Sequence, residues 1–252
     1  MSKDNNIQEI FEDNIGTADS DKGIRGKVIF RNADTKQVIN IQDNLILQRT
    51  RVFVMEALLK EKHPSTYNEV YDPARSICLF SVGEGGADIN ASPFTPVAPK
   101  FNDNGLAQKF PFITVDPDKD NDTETQDNPS IVKELTDEQK MKYYLPQADP
   151  DGTVKYYGKR FNGATNSKPF GNSKGWNINT FTGEVSYSLS LTIDPSECRG
   201  GMINELCLWL GRYNETKNSY ENISCGSRLT FDSISLSGLS TNIEMEYIIY
   251  VA

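Results

Sequence analysis

Between Gly183 and Ile193 the chain alternates without a break. Val185, Tyr187, Leu189, Leu191 and Ile193 fall on one side, and Ser186, Ser188, Ser190 and Thr192 on the other. A period of two gathers the apolar side chains on one face of an extended strand, the pattern of a half-buried antiparallel sheet. Wound as a helix, the same residues would be scattered around the axis. Three further strand-like runs follow, at Ile203–Leu210, Arg228–Ile234 and Ile243–Val251. In the last, Ile243, Met245, Tyr247, Ile249 and Val251 share a face, with Glu244 and Glu246 opposite. Asp194-Pro195 and Arg199-Gly200-Gly201 turn the first run into the second, Arg212–Gly226 reads as a polar loop and Ser237-Gly238 as a tight turn. The C-terminal seventy residues are thus expected to be sheet, ending on a core strand.

Upstream, Gly26–Arg31 and Lys36–Ile41 read as a hairpin around Asn32-Ala-Asp-Thr35. Leu47, Thr50/Arg51, Val54 and Leu58 then recur at helical spacing, with Asn44 as the expected cap. The β-branched Thr50, Val52 and Val54 are mediocre helix formers, so packing has to stabilise this helix. Ile77–Val82, apolar on both faces, reads as a buried central strand. Residues 84–178 hold nine of the chain's twelve prolines among Gly, Asn and Asp, which predicts turns and extended loops. One short helix is expected there, opened by the capping box Thr136-Asp-Glu-Gln139. Residues 1–22 carry Asp4, Glu9, Glu12, Asp13, Asp19 and Asp21, with only Ile7, Ile10, Phe11 and Ile15 as apolar anchors. The expected organisation is a flexible acidic arm over 1–22 and a single β-sandwich domain over 23–252, mainly β and antiparallel. It carries one or two helices, and 84–178 is a long Pro-rich irregular insertion.

Composition narrows the function. A formal charge of −9, with basic residues scattered in runs no longer than two, is the wrong electrostatics for gripping phosphate backbones. The opening Met1-Ser-Lys-Asp-Asn-Asn has no apolar core of a secretory signal, and no run approaches the 18 apolar residues of a membrane span. The expectation is a chain made and kept in a cytoplasm unless it leaves within a particle. Cys78, Cys198, Cys207 and Cys225 lie 120, 9 and 18 residues apart, with no CxxC pair, and the single His63 cannot complete a Cys/His zinc set. Cys78 and Cys207 fall inside apolar strands, where a reduced thiol behaves as a small hydrophobe.

Each candidate chemical motif is incomplete. Gly83-Glu-Gly85-Gly86-Ala87-Asp88 places Asp88 where the third glycine of a dinucleotide loop belongs, and prolines follow in place of a helix; it reads as a glycine turn. Asp116-Pro-Asp118-Lys-Asp120-Asn-Asp122 spaces oxygens like a calcium loop but has Asn121 at the glycine position and Asp127 at the closing one. It reads as a solvated acidic loop, with a bound cation as the alternative. Glu205, Glu244 and Glu246 could be taken for a glycosidase pair, yet all sit in alternating strands. His63 lies outside any nucleophile-elbow pattern. The expectation is no catalytic, cofactor or metal residue. Trp209 is expected in the core. Tyr143, Tyr144, Tyr156, Tyr157 and Trp176 are expected to anchor contacts to partner chains, or to stack on a glycan or receptor in the alternative reading.

Taken in order, several pieces resemble structural proteins of tailed-bacteriophage virions. Gly26–Arg31 followed by Asn44-Leu-Ile-Leu and a helix with Arg51 looks like their opening. Phe80-Ser-Val-Gly83-Glu-Gly85-Gly86-Ala87 with Pro93-Phe-Thr-Pro96 is similar to their glycine-rich strand exit. Ile203-Asn204-Glu205-Leu206-Cys-Leu-Trp209 resembles an "INELGL"-type strand, and Arg228–Phe231 with Ile243–Tyr250 their closing pair. Thr50 and Cys207 stand where that pattern has glycine. The likeness covers residues 24–100 and 183–251. It implies a non-enzymatic virion component of the tail, neck or baseplate, assembled in the host cytoplasm as a symmetric multimer. Its partners would be copies of itself and other virion proteins, with no nucleic acid, membrane or cofactor.

Overall fold

A computed structural model describes residues 24–59, 72, 74–88, 90, 95–100, 102–119, 129–166, 168–172, 174–237 and 240–251. The expected acidic arm, His63 and residues 120–122 of the Asp116–Asp122 loop lie outside the described residues, as does part of the turn at Ser237-Gly238. The strands are β1 (Ile24–Asn32), β2 (Val38–Ile46), β3 (Ser76–Gly83), β4 (Ala87–Asp88), β5 (Thr95–Pro96), β6 (Lys109–Phe110), β7 (Ile113–Val115) and β8 (Ile131–Val132). They continue as β9 (Tyr143–Ala148), β10 (Val154–Lys159), β11 (Gly175–Ile178), β12 (Val185–Ile193), β13 (Met202–Asn214), β14 (Ser219–Ser235) and β15 (Ile243–Val251). Helices α1 (Gln48–Leu59) and α2 (Asp137–Lys142) complete the order.

The chain is mainly β, as the alternation predicts, and one hydrogen-bonded path runs β11-β12-β15-β1-β2-β14-β13-β3-β10-β7-β8. That path doubles back at β2. Val38–Asn44 pair with β1, while Leu45 and Ile46 pair with Arg228 and Ser227 of β14, so one strand serves both layers. Phe30 of β1 then meets Phe231 of β14 across the interior, ring centroids 4.7 Å apart. Val28, Leu189, Leu191, Met245 and Tyr247 from the first layer share one core with Phe80, Val82, Leu206, Leu208 and Leu229 from the second. The opposite side is stitched where Asn162 follows β10: its backbone N–H donates to Ser190 O at 3.0 Å. These are the alternating residues of β12 and β15 facing inward, as their period requires.

Four expectations need correction. Asn44 is no helix cap: it is buried inside β2, its amide donating to the Tyr247 hydroxyl, and α1 begins only at Gln48. The face predicted for α1 holds only at its start: Leu47 is buried and Thr50 Oγ1 donates to Gly226 O of β14 at 2.6 Å, whereas Arg51 and Leu58 are exposed. Arg212–Gly226 is a hairpin, not a loop, with Arg212 opposite Glu221 and Tyr213 opposite Tyr220. Polar residues populate that hairpin and hide the strand period. Finally, 84–178 is not wholly irregular: β10 joins β3, β9 pairs with β10, and β7 and β8 form a parallel pair in an otherwise antiparallel array. The capping box of α2 forms as expected, Thr136 accepting from the Gln139 N–H while the Gln139 side chain accepts from the Thr136 N–H.

Candidate interaction surface

The residues singled out for chemistry part company in the fold. Glu205 on β13 is fully buried, whereas Glu244 and Glu246 lie on β15 in the other layer. Glu244 is met by Lys36 at 2.9 Å and Glu246 by Lys174 at 2.7 Å. Glu205 Oε1 accepts from the N–H groups of Gly85 and Gln108 at 3.1 and 2.9 Å. Its Oε2 accepts from the Ala107 N–H at 3.0 Å and from Arg228 Nη2 at 2.7 Å. Arg228 reaches on to Asp103 at 2.6 Å. Burial works to lower the Arg228 pKa, but Asp103 and Glu205 outweigh it and hold the value above normal. The glycines let this turn pack closely around the carboxylate, a Cβ on Gly83 falling 2.6 Å from Glu205 Oε1. A Cβ on Gly83 would sit 2.3 Å from Gln108 O, and one on Gly86 2.4 Å from Asn204 O.

A second buried ionic group joins the two layers. Lys159 at the end of β10 donates to Glu197 Oε2 at 2.6 Å and to Thr192 O at 2.5 Å. Lys142 reaches Glu197 Oε1 at 2.8 Å and also bonds Asp194, while the Tyr143 hydroxyl donates to Glu197. Burial pushes the Lys159 ammonium below its ordinary pKa and the Tyr143 phenol well above its own. Burial alone would raise Asp194, yet Lys159 and Lys142 draw it below the usual carboxylate range. A cleft of about 420 Å³ opens beside the group, lined by Lys142, Lys159, Arg160, Asn162 and Asp194. The amine turned toward that cleft already bonds to protein oxygens, so the cluster fastens β10, α2 and the β12–β13 connection.

The aromatics also divide. Tyr143 and Tyr144 are buried in their own subunit, contrary to the expected role at partner contacts. Tyr144 packs with Tyr213 and Tyr220 around the Arg160 guanidinium, whose carbon lies 4.8 Å from the Tyr144 and Tyr213 ring centres. Trp209 is in the core as predicted and donates to Ser81 Oγ at 2.7 Å. Tyr156 and Tyr157 are half-buried on β10 of the second layer. Trp176 lies on β11 of the first and is 74% exposed. All four cysteines are buried and unbridged. Among the described residues no three His, Cys, Asp or Glu side chains are grouped to hold a metal ion, and no helix is long and apolar enough to cross a membrane.

What stands unsatisfied is one end of the core. Register carries the inward face of the first layer outward in rows. Ile24, Val251, Val185 and Ile178 are paired side by side across β1, β15, β12 and β11. The next row inward is Gly26, Ile249, Tyr187 and Trp176. Deeper rows, such as Phe30, Met245 and Leu191, are covered by the second layer and fully buried. At the outer rows the cover stops: Ile178 is 63% exposed and Val251 51%. An aromatic line marks the transition, from Phe161 through Phe170 to Tyr187 and Trp176 with centroid spacings of 6.4, 5.5 and 5.1 Å. Beyond it, Phe181 at the β11–β12 turn is 99% exposed. Strand β11 is also the edge of the sheet path, with Gly175–Ile178 paired on one side to β12. Alternation alone identifies the inward face; that, among the described residues, Ile178 and Val251 of its last row are left largely exposed could be found only from the strand lengths once paired. The chain matches no known protein family, no curated protein and no solved structure.

Proposed function

We propose that this chain is a structural, non-catalytic subunit of a tailed-phage virion, of its tail, neck or baseplate, assembling as a symmetric multimer. The observation that carries the reading is the open end of the core. Its apolar side chains lie contiguous on adjacent strands, beside a sheet edge that is open among the described residues and that a second chain can extend. The ordered resemblance of residues 24–100 and 183–251 to virion structural proteins supports it. The buried charges point the same way: Glu205, Arg228, Lys159 and Glu197 are engaged with protein groups that bind loops and layers together. An apolar patch of this kind is an interface that needs a partner, and a repeated subunit supplies the same partner to each copy.

Light scattering on the purified chain over rising concentration tests the assembly, and peptide mass spectrometry of purified virions tests the location. The chain is expected to form a discrete multimer, and Trp176→Asp with Phe181→Asp to shift it toward monomer without lowering the thermal midpoint. A wild-type chain that stays monomeric at high concentration, or is missing from the particle, overturns the reading.

A further inference from the structure

A cavity of about 330 Å³ opens where the β13–β14 turn meets β9. Tyr143, Tyr144 and Tyr156, expected from the sequence at partner or glycan contacts, line it together with Tyr220. Lys140 and Lys217 are the charged residues of its lining, and no carboxylate is among the described residues there. That is a local excess of positive charge in a chain whose formal charge is −9. We propose that this cavity binds one sugar ring carrying an anionic group, such as a uronic acid unit of an acidic polysaccharide. The site is built on strands of the second layer, whereas Trp176 and Ile178 lie on β11 of the first, and it does not depend on how copies assemble.

The walls are set before a ligand arrives. Tyr144 and Tyr220 stand nearly perpendicular, at 84°, with ring centres 4.9 Å apart. Arg160 Nε donates to the Tyr220 hydroxyl at 2.9 Å, and the Tyr143 hydroxyl donates to Glu197. Rings already held in place lose little freedom on binding, which favours a small ligand. Tyrosine rings offer electron-rich faces to the C–H groups of a sugar, whose hydroxyls then need a few polar partners. Those partners are present. Among the described residues the hydroxyls of Tyr156 and Ser219 and the amide of Asn218, all in the lining, donate to no protein group. Asn218 Oδ1 already accepts from the Tyr213 hydroxyl, which leaves its N–H groups to give. Lys140 is met by Asp137 at 3.0 Å and Lys217 by Glu221 at 2.7 Å, the lysines being 55% and 67% exposed. Ion pairs so exposed are weak, so a ligand anion can draw on both cations. Two lining residues, Leu145 and Asn218, have φ of 57° and 49°. For a leucine that conformation is costly, and strain of this kind gathers where a fold shapes a ligand clamp. The volume lies at the lower end for ligand pockets, which suits a single ring better than a nucleotide.

Saturation-transfer NMR on the full-length chain tests this, with glucuronic acid, glucose 6-phosphate, glucose, acetate and adenosine monophosphate as probes. The two anionic sugars are expected to bind in the millimolar range, about tenfold more tightly than glucose, and acetate not at all. Lys140→Ala with Lys217→Ala changes only exposed side chains and is expected to bring glucuronic acid down to the level of glucose. Tyr156→Phe removes one hydroxyl and is expected to weaken both glucuronic acid and glucose about fivefold. Binding of one anionic sugar and not the other supports the proposal and identifies carboxylate or phosphate as the group recognised. Acetate that binds as well as glucuronic acid overturns it, as does adenosine monophosphate that binds more tightly than either sugar acid. So do a lysine variant that binds like the wild type and a wild type that receives no transfer to any sugar. Each of these failures leaves the multimer reading standing, because none of the probes reports on mass.

Discussion

Glu197→Ala is expected to lower the stability of this chain by about 3–5 kcal/mol, the usual cost of stranding a buried charge. Lys159 is 3% exposed and would lose its shortest carboxylate contact, at 2.6 Å. Lys142, the Tyr143 hydroxyl and the Asp194 N–H, which donates to Glu197 at 2.9 Å, would lose theirs as well. In thermal unfolding this corresponds to a fall in midpoint on the order of 10 °C for a domain of this size. Removing both charges, as in Lys159→Met with Glu197→Leu, should recover most of the loss, because the desolvation of two ions disappears with their attraction. A single Glu197→Ala that unfolds at the wild-type midpoint contradicts the assignment of this cluster as the tie between layers.

The same cluster sets an acid limit. Asp194 titrates below its ordinary 3.8 in the folded chain, so the native state binds its proton less readily than the unfolded state. Its contribution is therefore complete above about pH 4 and is lost as pH falls through the depressed value. Asp194→Asn should flatten the acid limb of a stability-versus-pH curve. An unchanged limb would show that Asp194 contributes nothing to it.

Glu205→Ala is expected to have an effect of similar size, about 3–5 kcal/mol, by leaving Arg228 with Asp103 alone and three backbone N–H groups without an acceptor. The consequence is local as well as global. The loops at Gly85 and at Ala107–Gln108 both bond to β13 through this carboxylate, so in the variant their amides should exchange with solvent faster than those of β12 and β15. Glu205→Gln retains the shape and part of the hydrogen bonding and should fall between the two. Equal exchange in both regions would mean that the loops are fastened elsewhere.

Much of the sheet was legible because a strand announces itself locally. Val185–Ile193 and Ile243–Val251 alternate cleanly, and the capping box at Thr136 sits within four residues. The β13–β14 hairpin was hidden because Arg212, Asn214, Glu221 and Asn222 carry no apolar period; Tyr213 and Tyr220 instead pack around Arg160, a residue far back in the chain. Asn44 passed for a cap because Asn suits that place, and only the fold supplies the Tyr247 hydroxyl that it meets.

The amino-acid sequence by itself determined which residues extend, which side of each strand is apolar, and that its carboxylates and lone histidine form no recognisable catalytic motif. Only the tertiary structure decided that β2 serves both layers, that Glu205 is buried while Glu244 is not, and that the rows ending in Ile178 and Trp176 run out from under their cover. The division has a physical cause. Side-chain direction follows from the backbone's period of two within a few residues, whereas burial depends on what another strand, far away in the chain, brings opposite.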